Sequence, residues 1–157
     1  MSTKHFGEFG EIGELNFEKR PTWNMYYMRI CEIVKTRSPD IIKVGCVLVS
    51  MIDNRIISTG YNSVCANMDH STINWTDREL VSNVIIHAEI NALLYSQSKF
   101  EDAILYITRS PCIQCLKAIS ATKIKKIVYK DEHKDFKIVK NISKILGIEL
   151  IKFENDF

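Results

Sequence analysis

The chain has 157 residues, of which 46% are hydrophobic, and these values predict one globular domain and exclude a disordered chain. The 21 basic and 19 acidic residues leave a formal net charge of +2, which is too small to indicate a nucleic-acid partner. No apolar run approaches the length of a membrane span, and the five cysteines, an odd number, do not suit the disulfide framework of a small secreted protein. We therefore expect an intracellular, cytoplasmic protein with reduced thiols and with no membrane or nucleic-acid partner.

Residues 1–19 are rich in glycine and glutamate and lack sustained periodicity. Four apolar residues recur there at intervals of three, namely Phe6, Phe9, Ile12 and Leu15. The glycines between them weaken any helix, so we interpret the segment as a flexible leader, with a helical or partner-binding face as the alternative. The catalytic domain is then expected to cover residues 20–157.

The first predicted element of the domain is a helix that begins after Thr22. The Thr22 hydroxyl can cap the helix, apolar residues follow at helical spacing from Trp23 onward, and Ser38-Pro39 ends it. Cys31 falls on the apolar face of this helix, and we expect it to be a core residue.

Two β-rich runs follow, at residues 44–49 and 55–62, and the polar turn residues between them favour an antiparallel hairpin. Cys46 lies on the apolar side of the first run and is expected in the core. Residues 63–83 are polar and aperiodic, so we expect a loop with a short helical turn near residues 75–80. A loop of this length is usually functional.

Strands and helices alternate through the second half of the chain. Helices are predicted at residues 87–97, 112–122 and 135–146, and strands at residues 103–108, 126–129 and 148–153. Such alternation predicts right-handed crossovers and a parallel segment of sheet, with Gly147 ending the last helix. Together with the hairpin, these elements indicate an α/β fold with a mixed sheet.

Three candidate metal ligands lie at the starts of two of these helices. One imidazole, His87, and two thiols in the spacing Cys-x-x-Cys, Cys112 and Cys115, are ligands that zinc prefers, and three ligands leave the fourth tetrahedral position open for water. Glu89, two residues after His87, can lie beside the metal and move protons for that water. His-x-Glu followed by Pro-Cys-x-x-Cys is the signature of the zinc nucleobase deaminases.

A structural zinc site or a redox pair is the simpler interpretation of a lone Cys-x-x-Cys, and a lone histidine more often packs in a core. A structural site would need a fourth cysteine or histidine at ligand spacing, and none accompanies Cys112 and Cys115. Both predicted helices also begin at the site, and their N-termini favour anionic groups there. We therefore favour a catalytic site.

Five motifs follow one another along the chain: Arg20-Pro21-Thr22-Trp23, Val44-Gly45, Gly60-Tyr61-Asn62, His87-Ala88-Glu89-Ile90-Asn91-Ala92 and Ser110-Pro111-Cys112-x-x-Cys115. In this order they resemble the deoxycytidylate (dCMP) deaminases of the cytidine deaminase superfamily, over roughly residues 19–153. The resemblance implies a three-layer α/β/α fold around a five-stranded mixed sheet, one catalytic zinc ion, and conversion of dCMP to dUMP and ammonia for thymidylate synthesis. It also implies a homo-oligomer, often a hexamer, activated by dCTP, which could carry Mg²⁺, and inhibited by dTTP.

The resemblance assigns roles to further residues. An asparagine at the position of Asn62 contacts the sugar in similar enzymes, and a turn-forming role is the alternative. Ser110 or its backbone is expected to meet the base or its leaving amine. The 5′-phosphate is expected at the loop after residue 129, where His133 replaces the tyrosine usual in the family and Lys130 and Lys134 lie beside it.

Two departures from the family pattern bear on metals and regulation. Phage-encoded relatives hold a second zinc ion ahead of the catalytic histidine, and His70 and Cys65 fall in that region. Asp40 replaces one of the cysteines, however, and Ile85 replaces the acidic residue, so we do not expect a second structural zinc ion. Ser63 stands where regulated members often carry glycine, so the sequence is compatible with an enzyme that effectors regulate and with one that they do not.

Three other functions share parts of this pattern. A tRNA adenosine deaminase has the same zinc and glutamate chemistry, but the low net charge and Asn91 favour a free nucleotide. Cytidine or dCTP would present the same reacting carbon, so only the phosphate pocket separates them from dCMP. A non-catalytic, zinc-stabilised binding module would gain nothing from an unligated Glu89.

Overall fold

The structure is a computed structural model that describes residues 20–96, 100 and 102–154, so the predicted leader lies outside the described residues. The helices are α1 (Trp23–Lys35), α2 (Arg78–Val84), α3 (Ala88–Leu94), α4 (Ile113–Ser120) and α5 (Phe136–Leu146). The strands are β1 (Gly45–Ser50), β2 (Ile56–Tyr61), β3 (Ser63–Val64), β4 (Ile85–Ile86), β5 (Ala103–Arg109), β6 (Lys126–Asp131) and β7 (Glu149–Lys152). Within the described part of the chain, we find no helix with the length and apolar character needed to cross a bilayer.

Five strands form one mixed sheet in the order β2-β1-β5-β6-β7. Strand β1 pairs antiparallel with β2 and with β5, whereas β5, β6 and β7 pair in parallel. The helices α4 and α5 connect the parallel strands, as parallel pairing requires. This arrangement confirms the predicted hairpin at one side of a mixed sheet.

Helices cover both faces of the sheet, because side chains alternate between the faces along each strand. In β5, Leu105 and Ile107 pack in a buried cluster with residues of α3, α4 and α5. Tyr106 lies on the other face and packs with Tyr27 and Cys31 of α1. The three layers of the predicted α/β/α fold are therefore present, and Cys31 and Cys46 are buried core residues, as expected.

Local signals fix where several elements begin, end and approach one another. The Thr22 hydroxyl accepts a hydrogen bond from the backbone N–H of Met25 at 3.2 Å and caps α1, as predicted. Helix α5 ends at Gly147, whose φ of +65° is left-handed. Gly60 of β2 has a different role, because a side chain there would collide with the backbone of α3. That close approach fixes the position of α3, whose first turn carries part of the site.

The segment predicted as a loop over residues 63–83 contains more regular structure than expected. Strand β3 pairs antiparallel with β4, and a 3₁₀ turn, His70–Thr72, lies between them. The predicted turn near residues 75–80 is the start of α2, where the Asp77 side chain accepts a hydrogen bond from the backbone N–H of Leu80 at 3.0 Å. Each of the two strands has only two residues, which is too short to produce a detectable alternation.

Candidate functional site

His87, Cys112 and Cys115 converge at the starts of α3 and α4, and we call them the metal group. His87 Nδ1 lies 3.3 Å from Cys115 Sγ and 3.5 Å from Cys112 Sγ, and the three ligand atoms all lie within 4.8 Å of one another. Around a tetrahedral zinc ion with ordinary bond lengths, nitrogen and sulfur ligands are about 3.6 Å apart and two sulfurs are about 3.8 Å apart. The residues of the metal group therefore fit a zinc ion.

The helix starts leave these side chains available for a ligand. His87 and Cys112 are the N-cap residues of α3 and α4, and neither uses its side chain to cap the helix. Cys115 follows in the first turn of α4 and is buried. The N-termini of two helices thus lie beside the metal group, where their backbone N–H groups favour negative charge.

Hydrogen bonds within the metal group shift the pKa values of the two cysteines in opposite directions. The pKa of Cys112 is lowered to about 3, first by the hydrogen bond from the Cys115 thiol and also by His87. The pKa of Cys115 is raised, because it donates this hydrogen bond and is buried. The hydrogen bond with Cys112 also raises the pKa of His87. The group therefore holds Cys112 as a thiolate, the form of cysteine that binds metals.

Glu89 lies in the first turn of α3 and is only 4% exposed. Burial raises its pKa to about 7, although its backbone N–H and His87 act in the opposite direction. A carboxyl group with a pKa near neutrality can accept and return a proton within one reaction cycle. Glu89 is not one of the metal group, although the Cys115 thiol donates a hydrogen bond to its carboxylate, so it lies beside the ligands without being one of them.

A cavity of about 490 Å³ opens beside the metal group. Its walls include His87, Cys112 and Glu89, together with three residues predicted to bind the substrate: Asn62, Ser110 and His133. This volume is within the range of about 300–1,000 Å³ typical of small-molecule sites. The structure thus brings most of the predicted site residues to one cavity.

Asn62 is buried, and its side-chain amide is held in one orientation. Its Oδ1 accepts a hydrogen bond from the backbone N–H of Val44 at 2.7 Å, and its Nδ2 donates to the Ile42 carbonyl at 2.8 Å and to Asp40 Oδ2 at 3.3 Å. Both amide protons are therefore used, and Oδ1 keeps one acceptor position. That position suits a hydroxyl donor in the cavity.

Ser110 and His133 are joined across the loop that follows β6. The Ser110 hydroxyl accepts a hydrogen bond from the backbone N–H of His133 at 2.8 Å. The His133 ring accepts at Nδ1 from the backbone N–H of Asp135 at 3.2 Å, which leaves its proton on Nε2. Burial and the nearby charge of Arg109 lower the pKa of His133, so the ring is a neutral donor at pH 7.

Comparison with known proteins identifies the family. Residues 21–131 match the family described as the cytidine and deoxycytidylate deaminase zinc-binding region. The chain belongs to this deaminase family.

Relatives of the chain in several organisms belong to the same group of deaminases. The deoxycytidylate deaminase of Mycobacterium phage D29 is 36% identical over 129 residues, which are 72% of this chain and 98% of the relative. The deoxycytidylate deaminase of Schizosaccharomyces pombe is 30% identical over 146 residues, which are 85% of this chain and 45% of the relative. The chain thus spans about half the length of two of the curated relatives that it matches, one of which is the Schizosaccharomyces pombe protein.

The fold of this deaminase-family chain is also found in solved structures. The dCMP deaminase of cyanophage S-TIM5, in complex with dCMP and dUMP, superposes with a TM-score of 0.72 and 26% sequence identity. The match covers 86% of this chain and 99% of the cyanophage protein. The predicted cytidine deaminase-like fold is therefore confirmed.

Lys130 does not line the cavity, in contrast to the position that the sequence analysis expected for its side chain. Strand β6 continues to Asp131, two residues beyond the predicted end, so Lys130 belongs to the strand. Alternation places its side chain on the face that α1 covers, where Nζ lies 2.9 Å from Glu32 Oε1. Lys134 of the following loop lines the cavity instead.

Two arginines in the cavity wall, Arg78 and Arg109, were not expected from the sequence. Arg78 forms a bidentate ion pair with Asp40, with Nη1 at 2.6 Å from Oδ1 and Nη2 at 3.2 Å from Oδ2. Asp40 is buried and also accepts the hydrogen bond from Asn62, so the pair connects α2 to the amide of Asn62. The ion pair joins positions 38 residues apart, and no local pattern indicates it.

Proposed function

We propose that the protein deaminates dCMP to dUMP and ammonia at this cavity, with a zinc ion bound by His87, Cys112 and Cys115. The observation that carries the proposal is that three zinc-type ligands converge beside one cavity of about 490 Å³, and that a buried, non-ligating carboxyl group, Glu89, lines this cavity together with two of them, His87 and Cys112. Two relatives named deoxycytidylate deaminase and the cyanophage enzyme solved with dCMP and dUMP support dCMP as the substrate.

The metal group accounts for the first part of the chemistry. When bound, zinc lowers the pKa of water toward neutrality and thereby supplies the nucleophile. Cys115 would release its proton on binding the ion, so that two thiolates, from Cys112 and Cys115, would offset the charge of the ion, and the imidazole of His87 would complete the three protein ligands. The N-termini of α3 and α4 favour the negative charge that accumulates at this point.

Glu89 accounts for the proton transfers. Its carboxylate takes a proton from the attacking water and passes it to ring N3 as the C4–O bond forms. It then takes the remaining proton of that water from the new C4 hydroxyl and carries it to the exocyclic nitrogen. The C4–N bond breaks, and ammonia leaves. Burial of Glu89 raises the pKa of its carboxyl group, which favours the return of the proton that it accepts.

The remaining cavity residues would orient the nucleotide. The free acceptor position of Asn62 Oδ1 suits a sugar hydroxyl, and the Ser110 hydroxyl, which accepts from His133, still has a proton to donate to the base. The Nε2–H of His133 suits a phosphate oxygen.

A substrate comparison tests the proposal. Zinc-loaded protein is mixed separately with dCMP, deoxycytidine, dCTP and a tRNA anticodon stem-loop, and the loss of cytosine absorbance or the formation of inosine is followed. We expect dCMP to give the highest kcat/KM. Turnover of dCMP no faster than that of deoxycytidine, or turnover of the RNA alone, would contradict the assignment.

Assembly into a homo-oligomer such as a hexamer, activation by dCTP and inhibition by dTTP belong to the same proposal, and the family resemblance is their support. Light scattering of the purified protein tests the assembly. Initial rates with dCMP, measured with each triphosphate and with or without Mg²⁺, test the effectors. Rates that no triphosphate changes would remove the regulatory part and leave the catalytic part unaffected.

A further inference from the structure

The basic side chains near the cavity differ in whether they have an acidic partner. Arg78 is held by Asp40, and Lys130 is held by Glu32 on the other face of the sheet. Within residues 20–96, 100 and 102–154, no such ion pair is found for Arg109 or Lys134, although both line the cavity. Charge that the fold leaves unpaired at a cavity is available to a ligand.

Arg109 is the more informative of these two residues. It is the last residue of β5, and strand alternation places it on the same face as Leu105 and Ile107, which is the face of the metal group. Its Nε is buried, yet it has no hydrogen-bond partner among the described residues. A buried donor without a partner costs about 1–3 kcal/mol, so it is uncommon in a folded protein. A partner from outside the chain would remove that cost.

Two further donors lie beside Arg109. His133 presents the Nε2–H of a neutral ring, and Lys134 follows it in the loop after β6. The charge of Arg109 is close enough to His133 to influence its ring. We call Arg109, His133 and Lys134 the basic group. Its residues line the same cavity as Glu89, and Arg109 and Lys134 bring positive charge to it.

We propose that Arg109 binds the 5′-phosphate of the substrate and thereby determines the preference for a nucleoside monophosphate over a nucleoside. The planar guanidinium group can donate two parallel hydrogen bonds to phosphate oxygens, which an ammonium group cannot do. His133 and Lys134 contribute one donor each. This inference rests on the proposed dCMP deamination, because it names the part of that substrate that the basic group binds.

Kinetics of matched variants test the inference. Arg109→Leu and Arg109→Lys are compared with Arg55→Leu, which makes the same change at a side chain that is 83% exposed in the β1–β2 turn. For Arg109→Leu we expect kcat/KM with dCMP to fall about 10- to 100-fold, mainly through KM, which corresponds to the loss of one or two charge-assisted hydrogen bonds. The ratio of kcat/KM for dCMP to that for deoxycytidine should fall by a similar factor. Arg109→Lys should lie between the wild type and Arg109→Leu, and Arg55→Leu should keep the wild-type ratio.

Two kinetic outcomes would overturn the inference and leave the proposed function intact. In the first, Arg109→Leu keeps the wild-type preference for dCMP. In the second, it loses the same factor on dCMP and on deoxycytidine, which would place Arg109 at the reacting base. A wild type that does not deaminate dCMP would instead refute the proposed function, so the two failures are distinguishable.

Binding of the product gives a readout that does not depend on turnover. Calorimetry with dUMP and with deoxyuridine should show that Arg109→Leu weakens dUMP binding about 10- to 100-fold and changes the affinity for deoxyuridine little. Ligand-free Arg109→Leu should melt no lower than the wild type, because the change removes a donor that has no partner. Its melting temperature should rise less than that of the wild type when dUMP is added. Equal dUMP affinity in the two proteins would overturn the inference.

Discussion

The metal group and the basic group lie at the same cavity, but different interactions stabilise them. In the metal group, His87, Cys112 and Cys115 form hydrogen bonds with one another, and two helix N-termini support them. In the basic group, Arg109 has a buried Nε without a partner among the described residues. The first group is arranged to hold an ion whose chemistry it assists. The second keeps charge unpaired until a ligand supplies the opposite charge.

The largest expected effect follows from removing one ligand of the metal group. Cys112→Ala should lose bound zinc and all measurable deamination, since the two remaining ligands do not complete a catalytic zinc site. Native mass spectrometry or elemental analysis gives the zinc content. Cys65→Ala is the matched control, because Cys65 is exposed and lies outside the metal group. Full zinc content in Cys112→Ala would refute this ligand assignment.

The ion pair between Arg78 and Asp40 gives the next largest effect. Arg78→Leu leaves a buried carboxylate unpaired beside Asn62, and we expect a loss of about 1–2 kcal/mol in the free energy of unfolding, because half-exposed Arg78 is partly screened by water. We also expect KM for dCMP to rise, since Asp40 helps to orient the Asn62 amide. Urea unfolding and steady-state kinetics measure the two effects. An unchanged KM would show that Asn62 is held without this pair.

Glu32 provides a test of stability against pH. Its burial opposes ionisation, but hydrogen bonds from Lys35 and Lys130 outweigh this effect and lower its pKa from 4.5. The folded state therefore binds the proton less readily than the unfolded state, so this stabilisation is present above about pH 4.5 and is lost as the pH falls through the folded pKa. Glu32→Gln should cost about 1 kcal/mol at pH 7 and less at pH 3.5, by urea unfolding. A difference that does not depend on pH would contradict this interpretation.

The smallest expected effect separates Lys130 from the basic group. Lys130→Met should lower stability slightly, since it removes an ion pair with Glu32, and should leave KM for dCMP unchanged because the side chain faces α1. Steady-state kinetics measured beside Arg109→Leu provide the comparison. A rise in KM as large as that of Arg109→Leu would place the phosphate near Lys130 and would contradict the inference that Arg109, rather than Lys130, binds it.

The metal group could be predicted from the sequence because its residues lie within short motifs. Cys112 and Cys115 are separated by one helical turn, and His87 and Glu89 by two residues, so local geometry nearly fixes each pair. The order of strands and helices then predicts the mixed sheet that brings the two motifs together.

The remainder of the site depends on details that local patterns specify poorly. The sequence analysis placed Lys130 in the loop after β6, but the strand is two residues longer than predicted. Successive side chains of a strand point to opposite faces of the sheet, so Lys130 points to the face away from the cavity. Arg109 could have been found by extending the alternation of Leu105 and Ile107 by one step. The pair between Arg78 and Asp40 depends on tertiary packing, and no spacing rule predicts it.

The most direct test of the account is the zinc content and dCMP turnover of Glu89→Gln, measured beside Glu79→Gln, which alters an exposed carboxylate in the first turn of α2. We predict that Glu89→Gln keeps wild-type zinc content and loses about 10²- to 10⁴-fold in kcat, because the amide holds its place but cannot carry the proton. Glu79→Gln should resemble the wild type in both measurements. Wild-type turnover of dCMP by Glu89→Gln would contradict the account.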